Sequence, residues 1–228
     1  MVKATFNLGN YNELDDLFNG KHIDLEIQKN RKAVFVDENS HNKISLIGKH
    51  FSYDDHSLAG GTVTGVEFTN QHGGKYVAIS GASYDVEEVQ RDLTHKSMGN
   101  LIETLFKGDD LIFGSSRGGG LYGAAGNDTI KGNDGHDFII GGDGNDTLIG
   151  GDGSDTFAFH HGDGHDKIVD FDPDGGFGHQ DFIGIDSTAD MSIHKSGKDT
   201  AVEFSDGTTI TLVGVSSSHV TLDDFVVA

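Results

Sequence analysis

The chain has 228 residues, 35% of them hydrophobic, and a formal net charge of −21 from 37 acidic and 16 basic residues. A polyanion of this size is repelled by nucleic-acid phosphates and anionic lipid, and it attracts cations. It contains no cysteine, which excludes disulfides, thiol catalysis and cysteine-ligated metals, and no run approaches the ~20 apolar residues of a membrane helix. The opening Met1-Val2-Lys3-Ala4-Thr5-Phe6-Asn7 lacks the apolar core of a cleaved signal peptide. Glycine is abundant, at 34 residues, beside a single proline, which fits neither collagen nor a proline-rich linker.

In chain order, the first expected elements are short strands at His22–Gln28, Lys32–Asp37, Lys43–Ile47, Thr62–Phe68 and Lys75–Ser80. Most alternate with period two and are separated by Gly/Asn/His/Ser clusters. A short helix is expected at Asn12–Phe18 and a longer one at Val86–Phe106. In the latter, Val86, Val89, Leu93, Met98, Leu101, Ile102 and Leu105 fall roughly on one face. Asp85 with Glu88 three residues on has the form of a capping box, and Gly108 follows the helix. A boundary is expected near residue 105, because the charge changes there. Residues 1–104 carry 15 acids against 10 bases, whereas 105–228 carry 22 against 6. All the later acids but Glu203 are aspartate, whose short stem suits a carboxylate held close to its own turn.

Beyond that boundary the chain repeats every nine residues. The units begin at Gly123, Gly132, Gly141 and Gly150, and each fits G-G-x-G-x-D-x-U-x with U large and apolar. Weaker units begin at Leu105, Gly114 and, after a two-residue insertion, His161. Three residues of each unit make a strand and six turn the chain, so two units make one 18-residue coil, and successive coils stack parallel strands. Position eight then lines a thin core of Ile112, Leu121, Ile130, Ile139, Leu148 and Phe157. The sixth-position aspartates stack on alternate edges. Asp110, Asp128, Asp146 and Asp166 form one column, and Asp137 and Asp155 the other. Gly119 stands where the second column should have another aspartate, so a weakened site is expected there.

Residues 105–170 resemble the calcium-binding repeats of RTX proteins, as found in serralysin-type proteases and polyuronate epimerases. Independently of that likeness, aspartates one strand spacing apart, about 4.8 Å, repel unless a cation lies between them. Calcium accepts six to eight oxygens with tolerant geometry, magnesium demands a stricter octahedron, and zinc prefers histidine or cysteine. The resemblance adds backbone carbonyls from positions one to four as ligands, which map onto Gly126, Gly135, Gly144, Gly153 and their neighbours. Asp134, Asp143, Asp152 and Asp163 at position three are candidates to supply carbonyls, side chains or surface charge.

After the repeats, Asp166–Pro173 and Asp181–Ile185 resemble the segment that closes the serralysin-type repeat domain. A hairpin is expected from Thr200–Phe204 and Thr208–Val213 around Ser205-Asp206-Gly207. The tail Leu222–Ala228, acidic then apolar, resembles an uncleaved type I export signal and also reads as a last strand.

Catalytic motifs are weak. Gly114-Ser115-Ser116-Arg117-Gly118 matches G-x-S-x-G but lies inside the repeat register. There is no H-E-x-x-H, and His160, His161 and His165 read as solvated turn residues. The expected fold is mainly β: a β-rich segment with one helix over 1–104, covering one end of the roll; a parallel β-roll over 105–170; and a β cap over 171–228. The expected protein is secreted without a cleaved leader, leaves through type I secretion machinery and folds on several calcium ions. It acts as a binding, adhesion or structural module, for instance toward cell-surface polysaccharide. The alternative is a polysaccharide-modifying enzyme or a non-catalytic module of one.

Overall fold

A computed structural model describes residues 3–6, 23–29, 31–37, 41–54, 57–69, 72, 75–95, 101, 104–175, 179–188 and 191–227. The chain divides into two compact units, Met1–Lys107 and Gly108–Ala228. The helix expected at 12–18 lies outside the described residues, as do 96–100 and 102–103 within the longer expected helix.

The first unit holds an antiparallel sheet of β1 (Lys3–Phe6), β2 (Ile23–Lys29), β3 (Lys32–Asp37), β4 (Lys43–Asp54), β5 (Ser57–Thr69) and β6 (Lys75–Asp85), in the order β1-β6-β5-β4-β3-β2. Strands β4, β5 and β6 run well past their sequence-read limits. The glycines that suggested strand ends instead sit at bulges: the β4–β5 register shifts between Ile47 and Gly48 and again between Lys49 and Ser52. Gly61 takes φ +125° where a side chain would collide with Phe51 and the Lys49 carbonyl, so glycine is required there. Helix α1 (Val86–His95) packs on β5 and β6 through the buried Val86 and Val89. Asp85 caps it, its Oδ1 accepting the Glu87 N–H at 2.8 Å. Glu88 does not close the expected box, and its Oε1 accepts from Lys107 Nζ at 2.8 Å. Leu101, Leu105 and Phe106 are buried, and the Tyr84 hydroxyl donates to the Leu105 carbonyl.

The second unit is a parallel β-roll. One sheet stacks β7 (Leu111–Phe113), β9 (Thr129–Asp134), β11 (Thr147–Asp152), β13 (His165–Ile168) and β17 (Thr209–Leu212), all parallel, and ends in antiparallel β16 (Asp199–Phe204) and β15 (Met191–Ser196). The other stacks β8 (Gly119–Tyr122), β10 (Asp137–Ile140), β12 (Thr156–Phe159), β14 (Phe182–Ile185) and β18 (Phe225–Val227), parallel throughout. Position eight faces inward from both sheets. Ile112, Ile130, Ile139, Leu148, Phe157 and Ile168 are fully buried, and Ile183, Leu212 and Phe225 continue the core. Residues after 170 therefore add strands to both sheets. The hairpin forms as β16 and β17, with Gly207 at φ +97°. The tail forms a 3-10 turn, Leu222–Asp224, with a Thr221 capping box, and then β18 beside β14.

Candidate metal centre: two aspartate ladders

The 18-residue coil places each sixth-position aspartate directly over the next. On the first edge, Asp128 Oδ1 accepts the Asp110 N–H at 2.7 Å, Asp146 Oδ1 accepts Asp128 N–H at 2.7 Å, and Asp166 Oδ1 accepts Asp146 N–H at 2.8 Å. On the second edge, Asp155 Oδ1 accepts Asp137 N–H at 2.8 Å, and Asp181 Oδ1 accepts Asp155 N–H at 2.9 Å. One carboxylate oxygen thus ties coil to coil and holds the register. The second oxygen is left over. Oδ2 of Asp128, Asp146, Asp155 and Asp166 is buried with no hydrogen-bond partner in the protein. At Asp137, below the missing aspartate, the Gly119 N–H faces the carboxylate too loosely to satisfy either oxygen.

Buried, partnerless carboxylate oxygens are costly unless a cation balances them. Desolvation accordingly lifts these acids well above the ordinary carboxylate range, with neighbouring charge adding to it. Asp128 is pushed to about 8, Asp137 and Asp166 to about 7, and Asp146 and Asp181 to about 6. Asp155 is also raised, again chiefly by burial.

The space beside each Oδ2 is kept open by the first glycine of each unit. A Cβ on Gly123, Gly132, Gly141 or Gly150 would collide with Oδ2 of Asp128, Asp137, Asp146 or Asp155 respectively. Position-four glycines take φ between +113° and +149° at Gly126, Gly135, Gly144 and Gly153. A Cβ on Gly144 or Gly153 would overlap the carbonyl of Gly126 or Gly135 in the neighbouring coil. An oxygen-lined cradle beside an unbalanced carboxylate fits a hard cation such as calcium. Among the described residues no three His, Asp or Glu side chains converge on one point, so a cation here would take its remaining oxygens from the backbone.

The position-three residues divide. Asp134, Asp143 and Asp152 are exposed, while Asp163 is buried and its Oδ2 accepts the His160 N–H at 2.7 Å. All four carbonyls accept an N–H from the turn stacked upon them, from Gly118, Gly126, Gly135 and Gly144 respectively. A carbonyl has two lone pairs, so this leaves one free for a cation.

Three features escaped the sequence reading. Asp181 continues the second column, its Oδ2 accepting from Asp172 N–H at 2.9 Å. Its Asp181-Phe182-Ile183 has the D-x-U form, but 26 residues separate it from Asp155 instead of 18, which hides the period. Asp170 ends the turn stack by accepting the N–H groups of Gly150 and Gly151, both at 3.0 Å. A second ladder runs outside the first edge. Asp109 Oδ1 accepts from Asn127 N and Nδ2, Asn127 Oδ1 accepts from Asn145 N and Nδ2, and Asn145 Oδ1 accepts from His165 N. The histidines near the last coil lie on the surface: His161 Nδ1 meets Asp206 Oδ2 at 3.0 Å and His165 Nδ1 meets Thr209 Oγ1 at 2.8 Å. Ser116, the central serine of the G-x-S-x-G match, is exposed in the turn before β8, with no strand-to-helix elbow around it.

No curated protein matches the chain. Among solved structures, the AlgE6R3 subunit from the Azotobacter vinelandii mannuronan C5-epimerase is 26% identical at a TM-score of 0.45, over 54% of this chain and 80% of that one. The AlgE6R2 subunit of the same enzyme is 26% identical at 0.43, over 53% and 89%. The extracellular lipase LipA from Serratia marcescens is 18% identical at 0.43, over 91% of this chain and 31% of the lipase. Residues 122–157 match the RTX calcium-binding nonapeptide repeat in four copies, and the same coil geometry extends from β7 to β14 on either side of them. Residues 122–157, which carry Asp128, Asp137, Asp146 and Asp155, are RTX calcium-binding nonapeptide repeats wound as a parallel β-roll.

Proposed function

We propose that the chain is an extracellular calcium-responsive module whose roll closes only when its two aspartate columns are neutralised, and which then serves as a binding or structural element. The observation that carries this reading is the row of buried Oδ2 atoms without partners. Calcium, when bound, supplies positive charge and oxygen coordination. The chain's own groups do the rest. Oδ1 of Asp128, Asp146, Asp166, Asp155 and Asp181 fixes the register between neighbouring coils, the position-one glycines keep the cradle clear, and position eight closes the core. Without a counter-charge, ionised Asp128, Asp146 and Asp166 repel and the roll opens, so binding free energy becomes folding free energy.

An open chain at the low calcium of a cytosol suits passage through an export channel, and the acidic-apolar segment Asp223–Val227 is the candidate signal for type I secretion. Removing Leu222–Ala228 should abolish release into the medium by a strain carrying such an exporter; undiminished release would discard this part of the reading.

The primary test is far-UV circular dichroism of the full chain during a calcium titration, with magnesium as control. A cooperative gain of β signal with calcium alone is expected. Equal signal with and without calcium would overturn the switch.

A further inference from the structure

The roll turns two outer faces to its surroundings, and they differ. On the first sheet the outward positions include Lys131, which lies over the Phe113 ring at 5.9 Å, and the exposed Lys167. The outward positions of the second sheet form two aligned rows. One runs Gly120, Phe138, Thr156, Phe182 across β8, β10, β12 and β14. The other runs Tyr122, Ile140, Ala158, Gly184, Val226 and reaches β18, with Ala158 and Gly184 buried within it. None of these nine residues is Asp, Glu, Lys, Arg or His, in a chain of net charge −21. Phe138 and Val226 are each 47% exposed.

We propose that this face is a docking surface for an uncharged, extended polysaccharide. The proposal deepens the binding-module reading and rests on it. Three observations point to this occupant. First, Phe138 and Phe182 stand in one row two strands apart, about 10 Å at the usual strand spacing. That is on the order of one disaccharide along an extended glycan, and flat rings stack on the C–H faces of sugars while a neighbouring hydroxyl, here Thr156, hydrogen-bonds them. Second, the row beside them is kept low. Gly184 sits at no left-handed φ, and a Cβ there would meet nothing nearer than the Ala158 Cβ at 3.4 Å. The backbone does not demand glycine at that position, and Gly184 and Ala158, both buried, form only the floor between larger outward side chains. Third, the charge fits a neutral partner. A polyuronate would meet no Lys or Arg on this face and would be repelled by the acidic turns at both edges, and a second copy of the chain would bring another −21.

The test is affinity electrophoresis of the calcium-loaded full chain through gels containing a neutral β-linked glucan, a neutral galactomannan or a polyuronate. Retardation by a neutral glycan is expected. Phe138→Ala should weaken it about tenfold, the scale of one lost ring contact, whereas Lys167→Ala on the other sheet should not. Phe138 points out of the roll, so its variant should keep the calcium-induced dichroism. Should it not, Thr156→Glu, which puts a charge in the middle of the row, is read in its place and should also weaken retardation. No retardation by either neutral glycan, preference for the polyuronate, or unaltered retardation in these variants would overturn the proposal. Loss of the calcium response in the wild-type chain would instead sink the calcium reading beneath it.

Discussion

Asp146→Asn should have opposite effects with and without calcium. Asp146 is buried in the middle of the first column, its Oδ1 holding the Asp128 N–H and its Oδ2 without a partner. Asparagine keeps the Oδ1 acceptor and replaces the unbalanced oxygen by a neutral amide. The carboxyl is pushed from 3.8 to about 6, first by burial and then by the charge of Asp163. At pH 7.5 the metal-free roll must keep this group ionised against that preference, at a cost of about 3 kcal/mol from two pKa units. Removing the charge should stabilise the metal-free roll by up to that amount. With calcium, the same change deletes an anionic oxygen from the cradle and should lower affinity at that site by tenfold or more, as fewer ligand charges do at other calcium sites. The assay is urea unfolding followed by dichroism, in chelator and in saturating calcium. Expected are a higher midpoint than wild type in chelator and a lower one in calcium. A shift of the same sign in both would refute the view that Oδ2 is the switch.

The raised acids also set a pH dependence. A carboxylate whose folded-state pKa lies above its unfolded value contributes stability that is complete below about 4 and is lost as pH rises through the folded pKa. In chelator the roll should therefore gain β signal as pH falls from 8 to 5, the window spanned by Asp128, Asp166 and Asp146. A flat profile there would contradict the burial of these charges. In calcium, protons compete for the same oxygens, so apparent calcium affinity should fall over that range, as read by titration at fixed pH. Gly144→Ala would place a Cβ on the Gly126 carbonyl at φ +147° and should unfold the roll at lower urea in chelator and calcium alike. Wild-type stability would mean that the turns are not stacked as described. Asp170→Ala strips acceptors from the Gly150 and Gly151 N–H groups and should cost about 1–3 kcal/mol. Asp170→Asn, which keeps one acceptor, should recover part of it in the same unfolding assay.

The roll was legible because one residue in nine carries its core and one in nine its charge. Ile130, Ile139, Leu148 and Phe157 could be aligned with Asp128, Asp137, Asp146 and Asp155 without any knowledge of the turn geometry. Where the period breaks, so does the reading. Asp181 follows an insertion and Asp170 belongs to no unit, yet both complete the second edge by hydrogen bonds that any correctly placed carboxylate could make. The Asp109–Asn127–Asn145 ladder was hidden for another reason. Position five is free in the repeat formula, and only stacking shows that successive amides meet. In the first unit the expected strands Lys43–Ile47 and Thr62–Phe68 stop short of Gly48 and Gly60, whereas β4 and β5 continue past both through bulges. Local glycine signals cannot tell a bulge from a strand end when the pairing that spans it is distant in sequence.

The division of labour within each aspartate explains why this fold is conditional. Six of nine residues in a unit are spent on turns, and each unit gives the core between the sheets one side chain, so little apolar burial is available to offset chain entropy. The coil-to-coil bonds through Oδ1 then do double duty. They set each aspartate over the next, which fixes the register whether 18, 20 or 26 residues lie between, and they drag a charged group into the interior, which penalises the register they fix. Oδ1 says where the next coil goes and Oδ2 says under what condition it may stay there. A roll with asparagine throughout its columns would keep the first instruction and lose the second. It would hold the same register without answering to calcium, whereas alanine throughout would lose both.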